Sequence, residues 1–227
     1  MKKLLIAISF ATAFGALSTA QAATISYASA TGLQTTNWTN LLSFGKFNSN
    51  LGTLTSIKFD LGGTVQGFGR AESMDASPTN VTLSLSALLS LTRPDNTTLV
   101  VTNPVFTQQF AFSSFDGVID FGGTSGGGTG TVSNSNSNFF VSNSASDFAL
   151  FSAVGGGTIN LGLFAKGSSI GTGSGNLITH FNTMASGNGL VTYTYSPAAI
   201  PEPASLALIL GGLGLIGAAR RRSIKRA

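Results

Sequence analysis

Apolar and polar residues alternate along much of the chain. In residues 56–61, Ile57, Phe59 and Leu61 fall on one face, with Lys58 and Asp60 on the other. Farther on, Val81, Leu83, Leu85 and Ala87 oppose Thr82, Ser84 and Ser86. Ile159, Leu161 and Leu163 repeat the pattern, and Val191, Tyr193 and Tyr195 oppose Thr192 and Thr194. A period of two is that of a half-buried strand. Pro94-Asp95-Asn96 interrupts it with turn chemistry, which predicts a hairpin of residues 81–92 with 98–102. Further strands are predicted at 25–28, 42–47, 64–71, 105–112, 118–121, 130–133, 139–142 and 177–184. Residues 144–154 predict one helical turn, with Ser146 or Asp147 as its N-cap. Residues 122–138, rich in Gly, Ser and Asn, predict an exposed loop or frayed hairpin. The fold class is all-β, an antiparallel β-sandwich of about ten short strands. No fixed period links the strands, which argues against a solenoid.

The two ends break this pattern. Lys2 and Lys3 precede an apolar run from Leu4 to Leu17, and Ala20-Gln21-Ala22 follows as a small-x-small site. That order predicts a secretory signal peptide over residues 1–22, cut after Ala22. Signal peptidase and the Sec machinery are the expected partners. At the other end, residues 204–219 carry no charge and run into Arg220, Arg221 and Arg222. Sixteen helical residues reach about 24 Å, against a hydrocarbon core of about 30 Å. Snorkelling arginines close the gap, and the basic cluster stays cytoplasmic. The segment has no polar face for a buried amphipathic helix. Gly211, Gly212, Gly214 and Gly217 weaken the helix, as suits a temporary anchor.

Pro201-Glu202-Pro203, the glycine-containing apolar run and the terminal arginines together resemble the PEP-CTERM sorting signal. That signal occurs on exported proteins of Gram-negative bacteria that make exopolysaccharide. The resemblance covers about the last 27 residues and implies processing by an exosortase, a membrane-embedded cysteine transpeptidase-like enzyme. It makes Pro201, Glu202, Pro203, Arg220, Arg221 and Arg222 the sorting motif. It also implies a precursor held transiently at the inner membrane, then a body at the cell surface or in the matrix.

The ends also account for the charge. The chain has a net charge of +4, which alone suggests an anionic partner. Seven of the twelve basic residues lie in the two end segments. Residues 23–200 hold five basic against seven acidic residues, a charge of −2. No nucleic-acid partner is expected. The chain has no cysteine, so an exported body folds without disulfides.

Catalytic chemistry has few candidates. His180 is the only histidine. A triad would place it beside an acid, but its segment reads as plain strand. A zinc site lacks its ligands. Asp116 and Asp120 offer oxygens to calcium, yet such a site takes six to eight, and the spacing fits an Asp116-Gly117 turn and a strand ending at Asp120. Paired carboxylates for glycoside hydrolysis are unmarked. The expectation is a non-enzyme with no cofactor and no metal.

The body resembles the choice-of-anchor E domain. The resemblance is carried by residues 36–73, "DASPTNVTLSLSALLSL", "RPDNTTLVV", "FDGVIDFGGTSG" and "GSGNLITHF". It implies that body and tail are separable modules, and it transfers no activity. The organisation is therefore signal peptide 1–22, body 23–197 and sorting segment 198–227. The expected function is that of an exported surface or exopolysaccharide-matrix protein. A carbohydrate-binding module using Trp38, Tyr27 and Asn side chains is the alternative. An ice-binding protein, using Thr192 and Thr194, is a lesser one.

Overall fold

The computed structural model describes residues 21–173, 175–198 and 211–214. Among these, fourteen strands form in chain order: β1 (Ala23–Ala30), β2 (Gln34–Thr35), β3 (Trp38–Gly45), β4 (Phe47–Asn48), β5 (Gly52–Ser73), β6 (Thr79–Thr92) and β7 (Thr98–Thr102). They continue with β8 (Val105–Phe112), β9 (Gly126–Gly128), β10 (Val132–Ser142), β11 (Ser152–Ala153), β12 (Thr158–Gly167), β13 (Ile170–Thr172) and β14 (Leu177–Pro197). One short α-helix, α1 (Ala145–Phe151), and a 3₁₀ turn (Ser49–Leu51) complete the described elements.

Two six-stranded antiparallel sheets result. The first runs β1-β14-β5-β10, with β2 beyond β1 along β14 and β9 beyond β10 along β5. The second runs β13-β6-β12-β3, with β7 and β8 along the other side of β6. The β6–β7 hairpin is as expected, and Asn96 takes a left-handed φ of 67° in its turn. The expectation of short strands is corrected at β5 and β14, which have 22 and 21 residues. They pair from Leu177–Ser73 to Pro197–Gly52, with one irregularity at Thr194/Tyr195. The strands predicted at 56–61 and 64–71 are one strand. Gly62-Gly63 reads as a break but continues the pleat, because β14 and β10 pair both residues.

The predicted faces are the buried ones. Ile57, Phe59, Leu61, Val81, Leu83, Leu85, Ala87, Leu161, Leu163, Val191 and Tyr193 all point into the core. Each large apolar side chain so buried is worth about 1.5–3 kcal/mol. Size complementarity organises the contact between sheets. The ribbon presents Ile57, Phe59 and Tyr193 at one end, then Gly63, Gly187 and Gly189. A Cβ at Gly189 would meet Phe44, one at Gly187 would meet Leu163 and Leu89, and one at Gly63 would meet Leu89 and Thr102. The absent side chains therefore seat the bulky residues of the second sheet.

Both seams of the sandwich are bonded. On one side, the stretch from β2 to β3 crosses between sheets. Thr36 N donates to Thr183 O at 3.0 Å, and Asn37 N to Ala165 O at 2.8 Å. Burial pushes the Tyr193 phenol up, with Tyr27 adding to the effect. The phenol donates to the Gly45 carbonyl at 2.8 Å.

On the other side lies β10, whose sequence is VSNSNSNFFVS. Residues 132–138 belong to the segment predicted as a loop, but they are an edge strand. The reason is side-chain bonding. The amides of Asn134, Asn136 and Asn138 donate to the carbonyls of Val105, Asn103 and Val101. Their Oδ1 atoms accept from the backbone N–H of Ser135, Ser137 and Phe139. The asparagines thus satisfy two backbone edges at once, where unpaired edges invite association.

Three smaller expectations are corrected. The helix N-cap is Ser144, whose side chain accepts from Asp147 N; neither Ser146 nor Asp147 caps it. Asp147 sits in the first turn and holds Arg93, with contacts of 2.7 Å to Nε and 2.8 Å to Nη2. The strand predicted at 118–121 is a turn-rich loop. Its N–H groups go to the side chains of Asp116, Asp120 and Glu72, a local competition with strand pairing. The strand predicted at 130–133 begins only at Val132.

Three outcomes follow for stability, each read from urea midpoints. At Gly67 an added Cβ would overlap the Asn182 carbonyl oxygen, whereas at Gly32 it meets nothing within 4 Å. Gly67→Ala costs about 1–3 kcal/mol, and Gly32→Ala stays within about 0.5 kcal/mol. Replacing Asn134, Asn136 and Asn138 with alanine costs about 1 kcal/mol per position. It also opens the β10 edge, giving concentration-dependent association in light scattering. Asp147→Asn leaves the Arg93 guanidinium without its counter-ion, at a cost of about 3 kcal/mol at neutral pH. The Arg93 hydrogen bonds hold the Asp147 carboxyl below the usual range. Its contribution is therefore present above about pH 4 and lost as pH falls through the lowered value. The gap between variant and parent should close in acid.

Candidate functional site

The acids of the body are spent on its own loops. Asp116 Oδ1 accepts from Val118 N at 3.0 Å, and its Oδ2 from Thr124 N at 3.4 Å. These bonds, the Val118 amide first, hold its carboxyl below the ordinary value. Gly117 takes the positive φ of 94° that the expected turn needs. Asp120 accepts from Gly122 N at 2.8 Å, closing a second small turn and not a strand end. Among the described residues, no three His, Asp or Glu side chains converge on a metal geometry.

Glu72 is the residue that sequence reasoning missed. It is fully buried at the end of β5. Ser125 Oγ donates to its Oε1 at 2.6 Å, and Phe121 N to its Oε2 at 2.7 Å. Alternation places Glu72 on the outer face opposite Ile178. The loop of residues 113–125 closes over it and supplies the donors. Nothing local announces this, because the donors lie about fifty positions away.

His180 lies within β14, directly across from Arg70 on β5. Its ring meets Phe68 edge-on with centroids 5.5 Å apart, and Phe121 at 6.4 Å. Arg70 stands over the Phe68 ring at 5.0 Å. This is a mixed aromatic and cationic patch, and among the described residues no carboxylate orients the histidine.

Of the two aromatics weighed for sugar stacking, Trp38 is partly buried and Tyr27 is exposed. Trp38 packs against the main core, with its Nε1 buried and unpartnered. Tyr27 meets Tyr193 edge-to-face at 6.0 Å, beside Gly45. The most exposed aromatic among the described residues is Phe139, opposite Asp60 on the outer face of the first sheet, with Lys58 Nζ 4.8 Å from its ring centroid. A shallow groove of about 450 Å³ lies nearby, lined by Gly62, Thr64, Ser135, Ser137 and Asn188.

The Thr192-x-Thr194 pair has hydroxyl neighbours that the sequence does not place together. Thr24, Thr194 and Ser56 form one cross-strand row, and Ser26 and Thr192 the next. Lys58 ends the second row and pairs with Asp60. Ser26 and Thr192 hydrogen-bond to each other at 2.9 Å. The patch is short and broken by charge.

Both exits of the body lie together. Ala23, the first residue of β1, pairs with Tyr195 near the end of β14. Past β14, Ala198 N donates to Leu51 O at 2.9 Å. Ala22 is described just before β1, whereas Ala20, Pro201, Glu202, Pro203, Arg220, Arg221 and Arg222 lie outside the described residues. So does most of the expected span at 204–219, of which residues 211–214 are described as helical. No helix among the described residues is long and apolar enough to cross a membrane.

Comparison with known proteins bears on this tail. The PEP-CTERM protein-sorting motif matches residues 199–223. The match begins one residue after Ala198, the last described residue of the body. It implies an exported protein sorted through an exosortase from a membrane-anchored precursor. No curated protein matches the chain. Among solved structures, the chain is similar to the VP2 subviral particle of infectious bursal disease virus, at 15% identity and a TM-score of 0.20. The alignment covers 89% of this chain and 49% of that one. A structure of the Gt strain of the same virus aligns at 14% identity and a TM-score of 0.11, over 89% and 48% of the two chains. The chain spans about half the length of these proteins, and likeness at that level assigns no activity.

Proposed function

We propose that residues 23–197 are the cargo of the sorting tail, a non-enzymatic surface or exopolysaccharide-matrix unit of the choice-of-anchor E type. In this reading the Sec machinery exports the chain and signal peptidase cuts after Ala22. An exosortase then removes the tail, and the body reaches the cell surface or matrix. The observation that carries it is the adjacency of the sorting motif to the folded body. Among the described residues the last bond of the body is Ala198 N to Leu51 O, and the sorting motif matches from residue 199. The other end supports it, since β1 begins at Ala23, just past the expected cleavage point. The non-enzymatic part draws on where the polar groups go. Asp116, Asp120, Glu72 and Asp147 use their oxygens to hold loops and α1 in place. Binding of polysaccharide is the second reading. Its supporting observation is the hydroxyl- and amide-lined groove near Phe139.

The sorting step is tested with the native chain and a variant carrying Pro201→Ala, Glu202→Ala and Pro203→Ala. Intact mass from envelope and medium is the measurement. The native chain is expected to lose its tail, and the variant to remain in the membrane at full mass. Identical processing of the two would remove the role of the triplet.

A further inference from the structure

We propose that the end of the sandwich nearest the tail is a lipid-contacting tip, with Leu51 and Val154 at the headgroup layer of the bilayer that holds the tail. The inference rests on the membrane-anchored precursor described above and adds a surface to it.

The first argument is reach. Ala198 is bonded to Leu51, and the expected apolar run begins at Ala204. Five residues lie between. Fully extended, they span at most about 17 Å. The headgroup region on each side of the hydrocarbon core is about 5–7 Å deep. With the tail embedded, the end of the body bearing Leu51 is kept within about 12 Å of the headgroup surface.

The second argument is what that end presents. Leu51 closes the 3₁₀ turn and supplies the carbonyl that holds Ala198. The neighbouring loop is built onto the same end. β11 pairs with β4, Gly155 N donates to Asn48 Oδ1 at 2.9 Å, and Lys46 N donates to Gly157 O at 2.8 Å. Val154 stands at the head of this loop and is 80% exposed, while Leu51 is 40% exposed. Val154 has the highest fractional exposure of the large apolar side chains among the described residues. The two segments, residues 46–52 and 153–157, contain no acidic residue, and their one charge is Lys46. Apolar side chains beside a cation match an interfacial layer with phosphate groups. Gly155, Gly156 and Gly157 all have positive φ and extend no side chain between Val154 and the bilayer.

The chain's lack of cysteine permits single-site labelling. Val154→Cys and Ser77→Cys are made in the full chain and labelled with a nitrobenzoxadiazole fluorophore. Ser77 is exposed and follows the opposite end of β5. Each chain is reconstituted into vesicles of phosphatidylcholine and phosphatidylglycerol and checked by flotation. The label at position 154 should emit at shorter wavelength. A headgroup-proximal spin-labelled lipid should quench it at least twofold more than the label at position 77. Co-flotation with equal, weak quenching at both positions overturns the tip while leaving the anchored precursor intact. Failure to float overturns the membrane reading of the tail and the tip with it.

Discussion

The pairing of β5 with β14 is the constraint on which the rest of the molecule depends. It runs from Leu177–Ser73 to Pro197–Gly52 with one irregularity. At about 3.3 Å per residue it is roughly 70 Å of ribbon. A slip of one residue would send every core side chain of a strand to the outer face. Register is therefore held by everything that rests on it. Gly63, Gly187 and Gly189 must face the second sheet because Leu89, Leu163 and Phe44 occupy the space where their side chains would be. β1 and β10 flank the ribbon, and the exits at Ala23 and Ala198 are its consequence.

A sandwich built on so long a ribbon has long edges. The molecule closes them with neutral polar groups and few charges. The asparagine ladder of β10 meets three alternate carbonyls of the other sheet. On the opposite side, the Tyr193 hydroxyl and the crossing of residues 36–37 make the bond. Two of the molecule's carboxylates are buried and bonded. Arg93 grips Asp147 at the base of α1, and Glu72 anchors the loop of residues 113–125. These carboxylates act as structural fasteners.

This economy suits a body carried by a sorting tail. Its polar surface is made of hydroxyls and amides, and its core is closed without disulfides. Both described ends of the ribboned body, Ala23 and Ala198, emerge at one end. That end also carries Leu51 and Val154, so a single tip serves as exit and contact surface.

The alternation of residues 56–61, 81–87, 159–163 and 190–195 determined which side chains are buried, because a pleat has only two faces. The Pro94-Asp95-Asn96 turn, the all-β class and the sorting tail were legible for similarly local reasons. Tertiary structure decided what local pattern cannot encode. Glycines 62 and 63 became the middle of a strand because partners on both sides paired them. The Ser-Asn repeat became an edge strand because carbonyls about thirty residues away accepted its amides. Glu72 was buried because a distant loop covered it, and residues 118–121 lost their strand to nearby carboxylates. Trp38 packs against the core and Tyr27 lies at the seam beside Gly45, while Phe139 is the most exposed aromatic among the described residues. Apart from the local turns at Asp116 and Asp120, the deciding partner lay far along the chain, and only folding brought it within hydrogen-bond or van der Waals reach.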